Sequence, residues 1–217
     1  MASINIENAP RALDMESFKI VSDSYGSLAK SCRFAVRILP TGINNPLNQY
    51  KATLFRDLVY LCEVAEFPGR GFQNVDLRYY GPSFKMPFQT SYEDINLTFL
   101  CRSKALEREL FDNWMDLINP VTTFDFNYRD DYACQIDIFQ FSEYDKENYG
   151  SSDPEYMFTL HDAWPVLVHP QAVTWADDQF LRLGVTFTYT RWTRGNLNPS
   201  PSMDANSSYT AITTNLS

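Results

Sequence analysis

The sequence predicts a mainly β chain, a β-sandwich or barrel carrying one amphipathic α-helix. Three observations predict it. Aromatic residues make up 15 % of the chain, with 16 Phe and 13 Tyr, types that favour strands and interfaces over long helices. Several segments alternate apolar and polar residues with a period of two, the pattern of a strand with one buried face. One segment alone, beginning near Ser103, repeats apolar residues at clear helical spacing. With 217 residues, 44 % apolar and 21 % charged, the chain has the composition of one globular domain with arms.

The weakly patterned residues 1–30 read as an N-terminal arm, with a short helix near Leu13 to Ile20. A first strand is predicted from Cys32 to Leu39, where Phe34, Val36 and Ile38 alternate with Arg33, Ala35 and Arg37. Pro40 to Pro46 is turn chemistry and opens a polar loop to about Phe55. Leu58 to Phe67 is expected as the second strand, ended by Pro68-Gly69-Arg70-Gly71. Residues 67–90 then read as a protruding arm of two short extended segments, Phe72 to Tyr80 and Phe84 to Phe88. From Tyr92 to Cys101, Ile95, Leu97 and Phe99 form one strand face, and Asp94, Asn96 and Thr98 the other.

The helix is expected over 103–118, with Ser103 as N-cap and Asn119-Pro120 as stop. Leu106, Leu110, Trp114 and Ile118 mark its packing face, and Glu107 and Asp112 are candidates to face a partner. Strands follow at Ala133 to Phe141, Tyr156 to Asp162 and Val166 to Thr174, with a polar insert at 143–155. The last strand is expected from Leu183 to Trp192, where Thr186, Thr188 and Thr190 alternate with apolar positions. Trp164 and Trp192 are read as core-packing residues, with a subunit contact as the alternative for Trp114 and Trp192, and 194–217 as a flexible C-terminal tail.

Charge narrows the function. The net charge of −9, with 27 acids against 18 bases, disfavours binding to nucleic-acid phosphates or anionic membranes. No apolar run is long enough for a membrane helix, and the first residues do not read as a secretory signal. The cysteines Cys32, Cys62, Cys101 and Cys134 form no C-x-x-C pair and read as reduced, buried thiols. No phosphate-binding glycine loop or nucleophile elbow occurs. His161, Asp162 and His169 are the only acid–base or metal candidates, and ordinary strand-end histidines explain them better. Adjacent acids such as Glu93-Asp94 and Asp130-Asp131 point to opposite faces of a strand and do not converge. The reading is a non-enzymatic protein with no catalytic residue, no metal and no cofactor. A hydrolase using His161, Asp162 or His169 and a β-sandwich binding module are the remote alternatives.

Three stretches carry a family resemblance: CEVAEFPGRGF at 62–72, the strand and helix at 92–118 with Phe111 three places before Trp114, and the block 160–192 with its Trp-Pro and Trp-Ala-Asp-Asp turns. In order and spacing, residues 31–193 resemble the tail-tube proteins of contractile-tailed bacteriophages. The resemblance implies a virion structural protein whose six-fold rings stack into a tube inside a sheath. DNA would pass through the lumen without specific binding. It implies self-association and contacts with sheath and baseplate proteins, with synthesis in the host bacterial cytoplasm. A baseplate-proximal tube-initiator or hub ring of the same fold is the second reading. Under either, Asp94, Asn96, Thr98, Thr186, Thr188 and Thr190 are candidates to line the lumen. Arg70, Phe72, Arg78, Tyr79, Tyr80, Phe84, Met86 and Phe88 of the arm are candidates for contacts between subunits or rings.

Overall fold

A computed structural model describes residues 15–23, 29–42, 45–141, 154–176 and 178–196. The predicted insert lies outside these residues up to position 153, and the predicted tail lies outside them from 197 onward. Six strands form one continuous path in the order β1 (Phe34–Pro40), β6 (Cys134–Phe141), β7 (Pro154–Val168), β8 (Arg182–Thr188), β5 (Ile95–Leu100) and β2 (Cys62–Ala65). A seventh, β9 (Arg191–Asn196), pairs with β7 off that path. All pairs are antiparallel. A separate hairpin is formed by β3 (Gly71–Leu77) and β4 (Phe84–Ser91). The sheet curls until β1 and β2 approach each other, so the chain is mainly β and barrel-like.

Strand β7 explains how one sheet has two halves. Its first part pairs with β6 on one side and β9 on the other, from Tyr156 to His161. Its second part, from Trp164 to Val168, pairs with β8 instead. The switch falls at Asp162, which adopts a left-handed φ of 54°, and at a register shift between Pro165 and Leu167. The two strands expected at 156–162 and 166–174 are therefore one bent strand that stops at Val168. Trp164-Pro165 lies inside it, with Pro165 opposite Phe187, and is not a turn.

The strand expected from Leu183 to Trp192 is divided in the opposite sense. Thr188 ends β8, and β9 begins at Arg191 on a different partner strand. The period of two runs through the corner, so the sequence pattern hides it.

The core is one continuous cluster of buried apolar side chains. Val36 and Ile38, Ile136 and Ile138, Leu160, the triplet Ile95, Leu97 and Phe99, and the triplet Leu183, Val185 and Phe187 all point into it. Helix α3 (Leu106–Ile118) closes it with Leu110, Phe111, Trp114 and Ile118, while Leu106 is half-buried. Trp114 stacks on Phe111 at 6.2 Å, and its Nε1 donates 2.9 Å to the carbonyl of Tyr132. Burying such a side chain contributes about 1.5–3 kcal/mol relative to leaving it in water.

Two helix expectations need correction. Residues 54–61 form a helix, α2 (Leu54–Leu61), and only Cys62–Ala65 is strand. Phe55 and Leu58, three apart, are its buried residues, with Leu54 packed beside them; that spacing is helical. A 3-10 turn, Pro46–Tyr50, precedes it inside the expected polar loop, capped by Asn45, whose Oδ1 accepts from the Leu47 amide. Helix α3 starts at Leu106, not Ser103, and its capping residue Ala105 sits at φ 51° without a side-chain cap. Glu107 supplies the local tie instead: its carboxylate accepts from the Arg102 amide and from Arg102 Nε. Glu107 is buried and so does not face a partner, whereas Asp112 is exposed and pairs with Arg108 one turn earlier. Two short helices complete the fold, α1 (Met15–Asp23) and α4 (Arg129–Tyr132). No helix among the described residues is long and apolar enough to cross a membrane.

Candidate functional site

Among the described residues, one face of the β2–β5–β8 sheet is left exposed or half-buried, and it carries the polar half of the alternating strands β5 and β8. Asn96 pairs across the ladder with Thr186, Thr98 with Gly184, and Thr188 with Trp164 of β7. Alternation sends Ile95, Leu97 and Phe99 into the core and the residues between them outward. On this face the Thr186 hydroxyl donates to Asn96 Oδ1 at 2.7 Å. Asn96 donates from its amide nitrogen and from Nδ2 to Glu66 Oε2, at 2.8 and 3.1 Å. His169 Nε2 lies 3.0 Å from Thr186 Oγ1; because that hydroxyl spends its proton on Asn96, the histidine nitrogen is the donor. The chain of bonds therefore runs in one direction, from His169 to the Glu66 carboxylate.

The base on the rim of this face is not free. Arg182 grips Glu63 with Nε and Nη2, and the same contact lowers the Glu63 carboxyl below its ordinary value. The face thus offers hydroxyls, an amide and acids, with its guanidinium already occupied. Glu66, His169, Glu63 and Arg182 were not legible as site residues, because each belongs to a different strand or loop and only the ladder register brings them together. Asp94 and Thr190 do not share the network. Asp94 is exposed just before β5, near Tyr189, whose hydroxyl is pushed up to about 12 by burial and then by Asp94. Thr190 sits at the corner between β8 and β9, where its hydroxyl meets Arg129, itself paired with Asp162 at 2.8 Å.

The β3–β4 hairpin stands off the rest of the fold. Phe72, Phe84, Met86 and Phe88 are exposed along it, and Tyr79 and Tyr80 are exposed at its tip, Tyr80 at 99 %. Arg70 lies over the Phe72 ring at 5.2 Å, and Arg78 Nε donates to the Gly81 carbonyl, where Gly81 takes the turn at φ 79°. The base is tied to the domain by Trp192 Nε1, which donates 3.1 Å to the Gly69 carbonyl. Trp192 and Trp164 otherwise pack partly buried against the core. Two further exposed aromatic segments escaped sequence reading: Val121, Phe124, Phe126 and Tyr128 after α3, and Val173, Trp175 and Phe180 between β7 and β8. The second begins inside the strand expected at 166–174, which ends at Val168.

The acid–base candidates are scattered. His161 Nε2 contacts Thr193 Oγ1 at 2.9 Å on the β7–β9 half, while His169 belongs to the open face. Burial, and then Arg191, lowers the His161 pKa below its usual 6.5. Among the described residues, no three metal-binding side chains gather. The thiols differ from one another: Cys134 is buried, Cys62 and Cys101 are half-buried, and Cys32 is exposed, which corrects the expectation of four buried cysteines. Desolvation pushes Cys62 up to about 12, which keeps it a protonated, weakly reactive thiol.

The phage tail tube protein family model matches residues 29–195, most of the chain and all of the β domain. The chain belongs to the phage tail tube protein family. A chain in the six-fold symmetrised anti-feeding prophage baseplate has the same fold at TM-score 0.54 and 16 % identity, covering 79 % of this chain and 98 % of that one. A chain of the sheath/tube terminator of the extracellular contractile injection system PVC gives TM-score 0.54 at 14 % identity, covering 78 % and 97 %. Another from the sheath-tube complex of that system gives 0.53 at 13 % identity, covering 85 % and 100 %. At such identities the likeness is one of fold. No curated protein matches. As a member of the phage tail tube protein family, the chain has a structural, tube-type role. What the site has to explain is therefore assembly, and the open polar face and the aromatic arm are the surfaces to explain it with.

Proposed function

We propose that six copies of this chain close into a ring, and that the rings stack into the inner tube of a contractile phage tail through which DNA is ejected. The observation that carries this reading is the polar face of Asn96, Thr98, Thr186 and Thr188, exposed or half-buried among the described residues and backed by the apolar core. Placed on the lumen side, it presents short uncharged groups and a carboxylate to passing DNA. Phosphates are held by exposed Lys and Arg through counterion release, and a wall without free bases lets the duplex slide. The free edges of β1, β2 and β9 among the described residues support closure, since a neighbour's strand would cover an edge that otherwise invites uncontrolled pairing. Such a contact is head-to-tail and has to close on itself. The outer surface would then meet the sheath, and the last rings the baseplate. In this reading the protein is non-enzymatic and uses no cofactor.

A second reading, a baseplate-proximal initiator or hub ring, is favoured by one observation: chains of this fold occur in a baseplate and in a sheath/tube terminator as well as in a sheath-tube complex. Negative-stain electron microscopy of the purified protein at rising concentration tests both. Long hollow tubes with six-fold end views support the shaft role. Rings that do not stack support the initiator role, and a monomer at every concentration removes the shaft role.

A further inference from the structure

The loop between β7 and β8 forms a cup at one end of the open sheet. Its lining includes Pro170, Val173, Thr174, Phe180 and Arg182, and encloses a cavity of about 390 Å³. That falls within the size of ordinary ligand clefts, about 300–1,000 Å³, and has room for an aromatic side chain. Val173, Trp175 and Phe180 around it are exposed, Trp175 completely. Residues 170–182 carry two acids, Asp177 and Asp178, against the single base Arg182, which Glu63 already holds. The arm has the opposite character. Residues 67–90 carry three bases, Arg70, Arg78 and Lys85, against the single acid Asp76, in a chain whose net charge is −9. Its tip ends in Tyr79 and Tyr80, both exposed.

The ladder places these two features at opposite ends of the same strand. Arg182, at the end of the cup, pairs with Leu100 of β5, while the arm leaves the sheet through β2 and returns at the Ile95 end. The length of β5 separates them, roughly 17 Å at the usual rise per residue. One domain thus carries a basic aromatic projection at one end and, at the other, a partly apolar cup whose loop carries the exposed acid Asp178 and whose one base is already paired with Glu63, the arrangement of a head-to-tail contact.

We propose that the cup at 170–182 receives the arm tip of a second copy of this chain, with Tyr80 entering the cavity and Arg78 meeting Asp178. The inference rests on the self-assembly reading and names the receiving site within it. Aromatic and arginine anchors seated in a pocket carry most of the energy of protein contacts, so removing one of them is decisive.

The test uses full-length chains: wild type, Tyr80→Ser, Arg78→Asp, Asp178→Arg and the double exchange Arg78→Asp with Asp178→Arg. Assembly is read by electron microscopy and light scattering, and folding by circular dichroism. The expected result is folded single variants that lose most higher-order assembly, at least tenfold at fixed concentration, with assembly restored in the double exchange. Single variants that assemble like wild type overturn the cup and leave the tube reading standing. Assembly lost in the single variants and still lost in the folded double exchange also overturns the pairing. A wild type that stays monomeric at all concentrations overturns the assembly reading itself, and the inference with it.

Discussion

The hydroxyl of Thr186 on β8 donates 2.7 Å to Oδ1 of Asn96, its ladder partner on β5. This bond sits in the middle of a one-way relay from His169 to Glu66, and so couples the β7 end, β8, β5 and the loop leaving β2. It fixes the open face as a polar surface whose groups are paired with one another.

Thr186→Val removes the central link while keeping the shape of the side chain. Asn96 Oδ1 and His169 Nε2 then turn to water, since the face is partly exposed. The expected loss is about 0.5–1.5 kcal/mol in urea unfolding, the net worth of ordinary hydrogen bonds. A loss well above that would mean that the face is sealed from solvent in the isolated chain.

Trp114→Ala should be far more costly. The indole is 0 % exposed, touches Phe55, Phe111 and Phe187, and satisfies the Tyr132 carbonyl. Truncating a core Trp costs about 3–5 kcal/mol, and here it also orphans a carbonyl that holds α4 to α3. Denaturant midpoints and the loss of near-ultraviolet dichroism measure it.

His161 gives the pH dependence. Its folded pKa lies below the ordinary 6.5 because of burial, reinforced by Arg191. Between those two values the unfolded chain binds a proton that the folded chain does not, so stability is full above about pH 6.5 and declines as pH falls through the folded value. His161→Gln should flatten that part of the stability–pH curve, and an NMR titration of the wild type should show an imidazole midpoint below 6.5. A midpoint at or above 6.5 would overturn the assignment.

A base on the open face tests where that face points. Thr98→Lys with Thr188→Lys should leave the core untouched, because both side chains alternate away from it. If the face lines the lumen, tubes formed inside a phage tail should eject DNA more slowly, with a delay that shrinks as salt is raised. Unchanged ejection kinetics, with tails of normal length, would place the face elsewhere.

Much of the fold was legible because burial writes itself into local pattern. The alternation of Ile95, Leu97 and Phe99, and of Val185 and Phe187, identified two central strands, and the repeat through Leu110, Trp114 and Ile118 identified α3. Helix α2 was read as polar loop and the start of a strand because Leu58 to Cys62 is an unbroken apolar run across the point where helix becomes strand. Periodicity over so few residues does not separate the two.

The sequence by itself determined which side of each strand is apolar, where the helix packs, and that no cluster of chemistry stands out along the chain. Only the tertiary structure decided that β7 bends at Asp162 to serve two partners, that Thr188 and Thr190 part company at a corner, and that Glu66, Asn96, Thr186 and His169 form one relay. The physical reason is that side-chain alternation is a property of each strand alone. Register and the choice of partner strand depend on hydrogen bonds between residues up to about a hundred positions apart, such as the ladder that sets Arg37 beside Asp137.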